Sequence, residues 1–348
     1  MTQGSSNLVS DTTTNDYSLL DRAAGMLAGV AIGDALGMPV ELLTPEYIKK
    51  WYGEVKDLIA PHSKHPHHRL LAGSVTDDTD HTLLLAQLLV DQGEITPIEL
   101  AKRLLEWSQT PRVRANRFVG PSTLKTLAAL EAGEALDKVP RAGTSVGAAM
   151  RVAPLAIAFP NKDMLIEQVV ASCAVSHYTR NAISGAMAMA FALSAALDPS
   201  ADLESICKAA KEGAIIGRNH GDWSWSPPIE RRIDHVLDWI NTLNEQEVLT
   251  RLYELIGVDM YPEQLVPCAI GLAYLADGDP QRAMLLAANL GGDTDTLASM
   301  TGSLCAGWRG LQNIDQSWLK LVETTNQIDV CAVAKNLIAL RPIQEVKL

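Results

Sequence analysis

Thr76-Asp77-Asp78-Thr79-Asp80 runs without a break into His81-Thr82-Leu83-Leu84-Leu85-Ala86-Gln87-Leu88-Leu89-Val90. The second half carries apolar residues on nearly every face of a helix, which places that helix inside a core. The first half then sets three carboxylates at a buried helix start. Asp at a helix N-terminus is ordinarily explained by capping and by the helix dipole, worth about 0.3–1 kcal/mol each at a surface. That explanation weakens inside a core, where unpaired carboxylates repel one another and each costs several kcal/mol. A buried acidic helix start calls for counter-charge.

The same grammar returns near the other end of the chain. Gly291-Gly292-Asp293-Thr294-Asp295-Thr296 precedes Leu297 to Gly307, again small and apolar. Asp293 alone could be nothing more than an N-cap. Taken together, Asp77, Asp78, Asp293 and Asp295 bring four negative charges, matching two divalent cations. Hard oxygen ligands suit Mg²⁺, Mn²⁺ or Ca²⁺ and argue against structural zinc. Paired metals about 3.5–4 Å apart are a common hydrolytic arrangement. A third acidic element, Gly33-Asp34-Ala35-Leu36-Gly37 followed by Glu41, reads as a crowded turn at a helix end.

Outward from these motifs, helical signals recur almost everywhere. Thr96-Pro97-Ile98-Glu99 is a capping box with proline at the first helical position, Thr44-Pro45 opens another helix, and Asp315 caps one beginning near Gln316. Apolar spacing predicts further helices near 18–37, 80–93, 97–108, 121–132, 147–157, 163–175, 179–197, 202–215, 230–242, 264–276, 281–289 and 295–309. No alternating strand pattern and no repeat stands out. The expected architecture is all-α, one orthogonal multi-helix bundle over residues 17–345, with 1–16 a disordered polar tail. Two irregular excursions are expected: Pro61 to Leu71, with His62, His65, His67 and His68, and Asn219 to Pro228, with Trp223 and Trp225.

Of the 348 residues, 47% are hydrophobic and only 5% aromatic, so the core is built from small and aliphatic side chains. The formal charge of −12 argues against non-specific nucleic-acid binding, which needs Lys and Arg against phosphate. Five cysteines without a paired spacing, and an N-terminus without basic and apolar regions, point to a reduced, cytoplasmic protein. The longest apolar run, Ala182 to Leu197, is shorter than the ~20 residues of a spanning helix, so no membrane role is expected.

The markers Gly33-Asp34-Ala35-Leu36-Gly37 with Glu41, Thr76-Asp77-Asp78-Thr79, Gly147-Ala148-Ala149-Met150-Arg151, His177 and Gly292-Asp293-Thr294-Asp295-Thr296 together resemble the ADP-ribosylglycohydrolase family. The resemblance runs from about Asp21 to about Asp315. It implies an all-α bundle, two Mg²⁺ or Mn²⁺ ions, and hydrolysis of the C1″ glycosidic bond of ADP-ribosyl conjugates. The substrate would be an ADP-ribosylated protein or a small ADP-ribosyl or ribosyl compound. By this resemblance the metal ligands fall on Thr76, Asp77, Asp78, Asp293, Asp295 and Thr296, and a mobile active-site glutamate falls on Glu41. Catalysis would rest on Glu41, Asp77, Asp78 and Asp295. A loop against the diphosphate and distal ribose falls on Gly143, Thr144, Ser145, Val146, Gly147 and Met150, with His177 near the ligand. Met150 and Arg151 also read as packing and helix anchoring. Two departures stand out: Val146-Gly147 replaces a frequent Asn-Gly, and Asp80, where many members have Gln, Glu or Ser, is read as a supporting group behind the metal ligands. A nucleoside or other N-riboside hydrolase on the same scaffold is the alternative enzyme. A catalytically silent, crystallin-like binding protein is the alternative of another class. Oligomeric state and leaving group stay open at this point.

Overall fold

The computed structural model describes residues 18–135, 138–139 and 141–341. The proposed tail at 1–16 therefore lies outside the described residues. The architecture is all-helical, in the order α1 (Leu19–Gly37), α2 (Pro45–Tyr52), α3 (Asp77–Gln92), α4 (Pro97–Ser108), α5 (Pro111–Asn116), α6 (Pro121–Glu131), α7 (Ala153–Ala158), α8 (Lys162–Cys173) and α9 (Arg180–Ala196). It continues through α10 (Leu203–Gly217), α11 (Ile229–Thr242), α12 (Glu245–Arg251), α13 (Pro262–Leu275), α14 (Pro280–Leu290), α15 (Thr294–Arg309), α16 (Gln316–Asn326) and α17 (Val330–Ile338). Among the described residues, extended pairing is confined to isolated bridges such as Leu43 with Gly292.

The expected helix over 147–157 is broken in two. Val146–Ala148 forms a 3-10 turn, and α7 starts only at Ala153. Pro154 has no N–H to give to a preceding turn and fits only in the first turn of a helix, so the helix restarts there. α5, α17 and α12, which runs on into a π-helical turn at Leu252–Ile256, were not anticipated. Thr96 caps α4 through its backbone alone, whereas Asp315 accepts hydrogen bonds from the Ser317 and Trp318 N–H groups, as a side-chain cap should.

α1 and α15 form the spine. Gly25, Gly29, Gly33 and Gly37 recur every fourth residue along one face of α1. They lie against Ala306, Gly302, Ala298 and Thr294 of α15, and a Cβ on any of them would come within 3.0 Å of α15 backbone. The two helices therefore run antiparallel with their backbones in direct contact, a closeness only glycine permits. This corrects the reading of Gly33 and Gly37 as turn glycines: both are helical, and Asp34 is fully buried within α1. With its following turn α1 is long and apolar enough to span a membrane, yet from Arg22 to Val40 it is buried in the core. The spine also fixes the site. Thr294 Oγ1 donates to the Gly37 carbonyl at 2.9 Å, bringing the end of α1 to the start of α15.

Candidate active site

Asp34 reaches from α1 to the start of α3. One oxygen accepts the Thr76 hydroxyl at 2.9 Å, the other the Thr79 hydroxyl at 2.5 Å, and the Thr76 and Thr79 N–H groups lie 2.9–3.1 Å from the carboxylate. Thr76 makes no side-chain cap of its own. A carboxylate from another helix caps α3 in its place, satisfying N–H groups that the helix start leaves free. Burial nonetheless pushes the Asp34 carboxyl up to about 6, against the Thr79 and Thr76 hydrogen bonds that favour its charge.

The two acidic motifs, far apart in sequence, meet here. Thr76 Oγ1 lies 3.4 Å from Asp295 Oδ2, and Thr296 Oγ1 donates to Asp78 Oδ2 at 3.2 Å. Asp78, Asp293, Asp295 and Thr296 are buried, and Asp77 is partly so. Burial, and then neighbouring carboxylates, raise Asp77, Asp78 and Asp295 well above the usual carboxylate range. Burial takes Asp293 to about 6. Asp78 Oδ1 is buried without a hydrogen-bond partner. An orphaned carboxylate oxygen among mutually repelling acids and two threonine hydroxyls is a donor set suited to hard divalent cations. Among the described residues, no group of three His, Cys, Asp or Glu forms a ready-made cage for one ion.

Above them opens a cavity of about 200 Å³, lined by Glu41, His67, Thr76, Asp77, Phe118, Ser145, Val146, Gly147, Met150, His177, Met260, Asp293, Asp295 and Thr296 among others. Gly143 and Thr144 do not line it. Gly143 N–H bonds to Ser176 O, a Cβ there would overlap that carbonyl, and Thr144 is exposed. Val146 is buried, with its N–H on Met260 O at 2.8 Å. Ser145 Oγ lies 2.8 Å from His177 Nε2, and Ser176 Oγ lies 2.8 Å from His177 Nδ1. Burial, and then Arg151, hold His177 down at about 3, so the ring is neutral and its two nitrogens orient two hydroxyls. Arg151 is fully buried and donates to Ser172 O, an anchoring role.

Asp80, expected behind the candidate ligands, makes its bonds elsewhere. It accepts Trp107 Nε1–H at 2.9 Å and pairs with Arg112 at 2.6 Å, tying α3 to α4 and α5. It sits two residues beyond Asp78, about 200° round the helix from it, and does not line the cavity. The contribution that the sequence hid most is from the His-rich excursion. His67 Nε2 meets Glu41 Oε2 at 3.0 Å, and His65 Nε2 meets the Glu41 carbonyl at 3.0 Å. The four-His signal was visible; its partner was not.

The ADP-ribosylglycohydrolase family profile matches residues 15–345. The chain is 30% identical to the uncharacterized protein YegU of Escherichia coli (strain K12), over 93% of this chain and 98% of that one. It is 24% identical to the ADP-ribosylhydrolase ARH3 of Bos taurus, over 90% and 92% of the two chains. Among solved structures it is similar to an ADP-ribosylglycohydrolase-related protein complex, with TM-score 0.67 and 26% identity over 93% of this chain and 99% of that one.

Proposed function

The chain belongs to the ADP-ribosylglycohydrolase family, and from that premise we propose that it hydrolyses the C1″ glycosidic bond of ADP-ribosyl conjugates with the help of two divalent cations. One observation carries the reading: the two acidic motifs converge across some two hundred residues of chain, leaving a buried carboxylate oxygen without a partner beneath a cavity edged by Glu41.

Thr76, Asp77, Asp78, Asp293, Asp295 and Thr296 would hold two Mg²⁺ or Mn²⁺ ions. When bound, such ions neutralise the acids, grip vicinal ribose hydroxyls and stabilise developing negative charge. The remaining work falls to the chain itself. Cleavage passes through an oxocarbenium-like sugar. Water attacks C1″ as the bond to the leaving nitrogen or oxygen breaks. The bonding pair departs with the leaving group, which takes a proton from solvent. Glu41, which lines the same cavity as Asp77, Asp293 and Asp295, accepts the proton of the attacking water. Ser145, oriented by neutral His177, offers a hydroxyl to the part of the substrate beyond the ribose. Met150, Val146 and Phe118 exclude bulk water from the sugar.

A second reading, hydrolysis of a smaller N-riboside, is favoured by the cavity itself. At about 200 Å³ it is below the ~300–1,000 Å³ usual for larger ligands, and suits a ribosyl group better than a whole ADP-ribose. Val146 adds no polar group to the loop. The two readings separate in a panel of ADP-ribosyl-arginine, ADP-ribosyl-serine and ribonucleosides assayed with Mn²⁺. Faster release from the conjugates supports the first; release from nucleosides alone supports the second.

A further inference from the structure

Histidines concentrate in the excursion from Pro61 to Leu71. Among the described residues these rings do not form a metal site. They hold backbone instead. His65 is buried, its Nδ1 accepts the His67 N–H at 3.2 Å, and its Nε2 therefore carries the proton donated to the Glu41 carbonyl. His68 Nδ1 lies 3.0 Å from the His65 carbonyl. The segment is thus stapled to itself and to Glu41.

Glu41 is also fixed from its other side. The next residue, Leu42, sits at φ 60°, a strained conformation for leucine, and its N–H bonds to Gly292 O at 2.7 Å. Gly292 N–H returns the bond to Leu43 O at 2.9 Å. The Glu41 backbone is therefore tied to the acidic motif after α14 and to the His-rich segment. What freedom it has lies in its side-chain torsions. Among the described residues, the side chain that bonds to its carboxylate is His67, with Nε2 at 3.0 Å from Oε2. The His67 ring is itself held, packed against the His65 ring and the Phe118 ring at 5.5 Å each, and the Arg112 guanidinium lies over the Phe118 ring at 5.1 Å. Its Nδ1 is buried and without a hydrogen-bond partner, so the Glu41 contact is the polar bond that keeps this nitrogen's ring in place.

We infer that His67 is a positioning residue: it donates one hydrogen bond to the Glu41 carboxylate and sets which oxygen faces the sugar. The contact holds the Glu41 carboxylate in one orientation on a backbone tied at both sides. The inference rests on the proposed role of Glu41. It follows physically from packing: a side chain with three rotatable bonds holds one orientation only where a rigid neighbour binds it. Misplacing a reacting group by about 1 Å can cost about 100-fold in rate.

The test uses the full-length protein with Mn²⁺. His67→Phe keeps the ring against His65 and Phe118 but removes the donor; His67→Gln keeps a donor and removes the ring. With an ADP-ribosyl conjugate, His67→Phe should lower kcat at least about 10-fold with KM changed less than about 3-fold, and His67→Gln should recover most of it. In a Glu41→Gln background, His67→Phe should cost little more. Wild-type kcat in His67→Phe, equal losses in the Phe and Gln variants, or losses that multiply in the double variant would each overturn the inference. A second readout needs no turnover. Nitrogen-15 NMR of labelled histidine should find a His67 Nε2–H proton protected from exchange in the wild type and lost in Glu41→Ala. A protected proton with no cleavage of any conjugate would overturn the enzymatic reading and leave the contact standing. An unprotected proton in an active wild type would overturn the inference alone.

Discussion

Removing the Asp34 carboxylate should unfasten α3 from α1. In Asp34→Ala the Thr76 and Thr79 hydroxyls can rotate toward other acceptors; Thr76 Oγ1 already lies 3.4 Å from Asp295 Oδ2. The two backbone N–H groups cannot, since the helix start fixes them in a buried place. Each orphaned donor costs about 1–3 kcal/mol, or roughly 2–6 together. Part is returned, because Asp34 is itself costly to bury and repels Asp77 and Asp78. The net expectation is a loss of about 2–4 kcal/mol. With a urea slope of about 3 kcal/mol per molar, the unfolding midpoint should fall by about 1 M. Asp34→Asn should fall between wild type and Asp34→Ala, since an amide can accept from one threonine but turns a donor on the other. Both are measured by urea denaturation of metal-free protein, followed by circular dichroism. An Asp34→Ala midpoint within about 0.2 M of wild type, with an unchanged slope, would refute the capping argument.

Gly33→Ala should cost about 2 kcal/mol or more, because the new methyl meets the Ala298 carbonyl and the spine must part; a melting temperature equal to wild type would count against direct backbone contact. Mg²⁺ or Mn²⁺ at a hundred times the dissociation constant should stabilise the fold by about 2.7 kcal/mol, seen as a rise in Tm that chelator reverses. Asp77→Asn and Asp295→Asn should abolish most of that rise and cut turnover at least ~100-fold, whereas Glu41→Gln should cut turnover with the rise intact. His177, held at about 3 when folded against an ordinary 6.5, binds its proton more readily unfolded. Its contribution to stability is therefore full above pH 6.5 and is lost as pH falls toward 3, by roughly 1.4 kcal/mol per unit. Replacing it with Gln should flatten the acid limb of the stability curve between those limits relative to wild type.

The two acidic motifs, which the structure brings together, were legible because their signal is local. Acidic and hydroxyl residues before a buried helix are readable one motif at a time, and the motif occurs twice. Asp34 was misplaced because its neighbours Gly33 and Gly37 suggest a turn. Their purpose, contact with Ala298 and Thr294 of α15, depends on a helix more than two hundred residues away. Asp80 was grouped with its neighbours in sequence, although a helix separates residues that adjoin along the chain. α12 was missed although Asn244 and Glu247 form a reciprocal capping box at its start. α7 shows the opposite, a helical pattern that Pro154 divides. His67 was flagged by composition alone, since its partner Glu41 is 26 residues distant and no local rule joins them.

The most direct test of the account is the release of free ADP-ribose from an ADP-ribosylated peptide, followed by mass spectrometry, with Mn²⁺, with chelator, and with Asp295→Asn. The account predicts free ADP-ribose and a peptide restored to its unmodified side chain with Mn²⁺, and loss of at least ~99% of the rate under the other two conditions. Release that persists unchanged in chelator and in Asp295→Asn, or no release from arginine- or serine-linked peptide at saturating Mn²⁺, would contradict it.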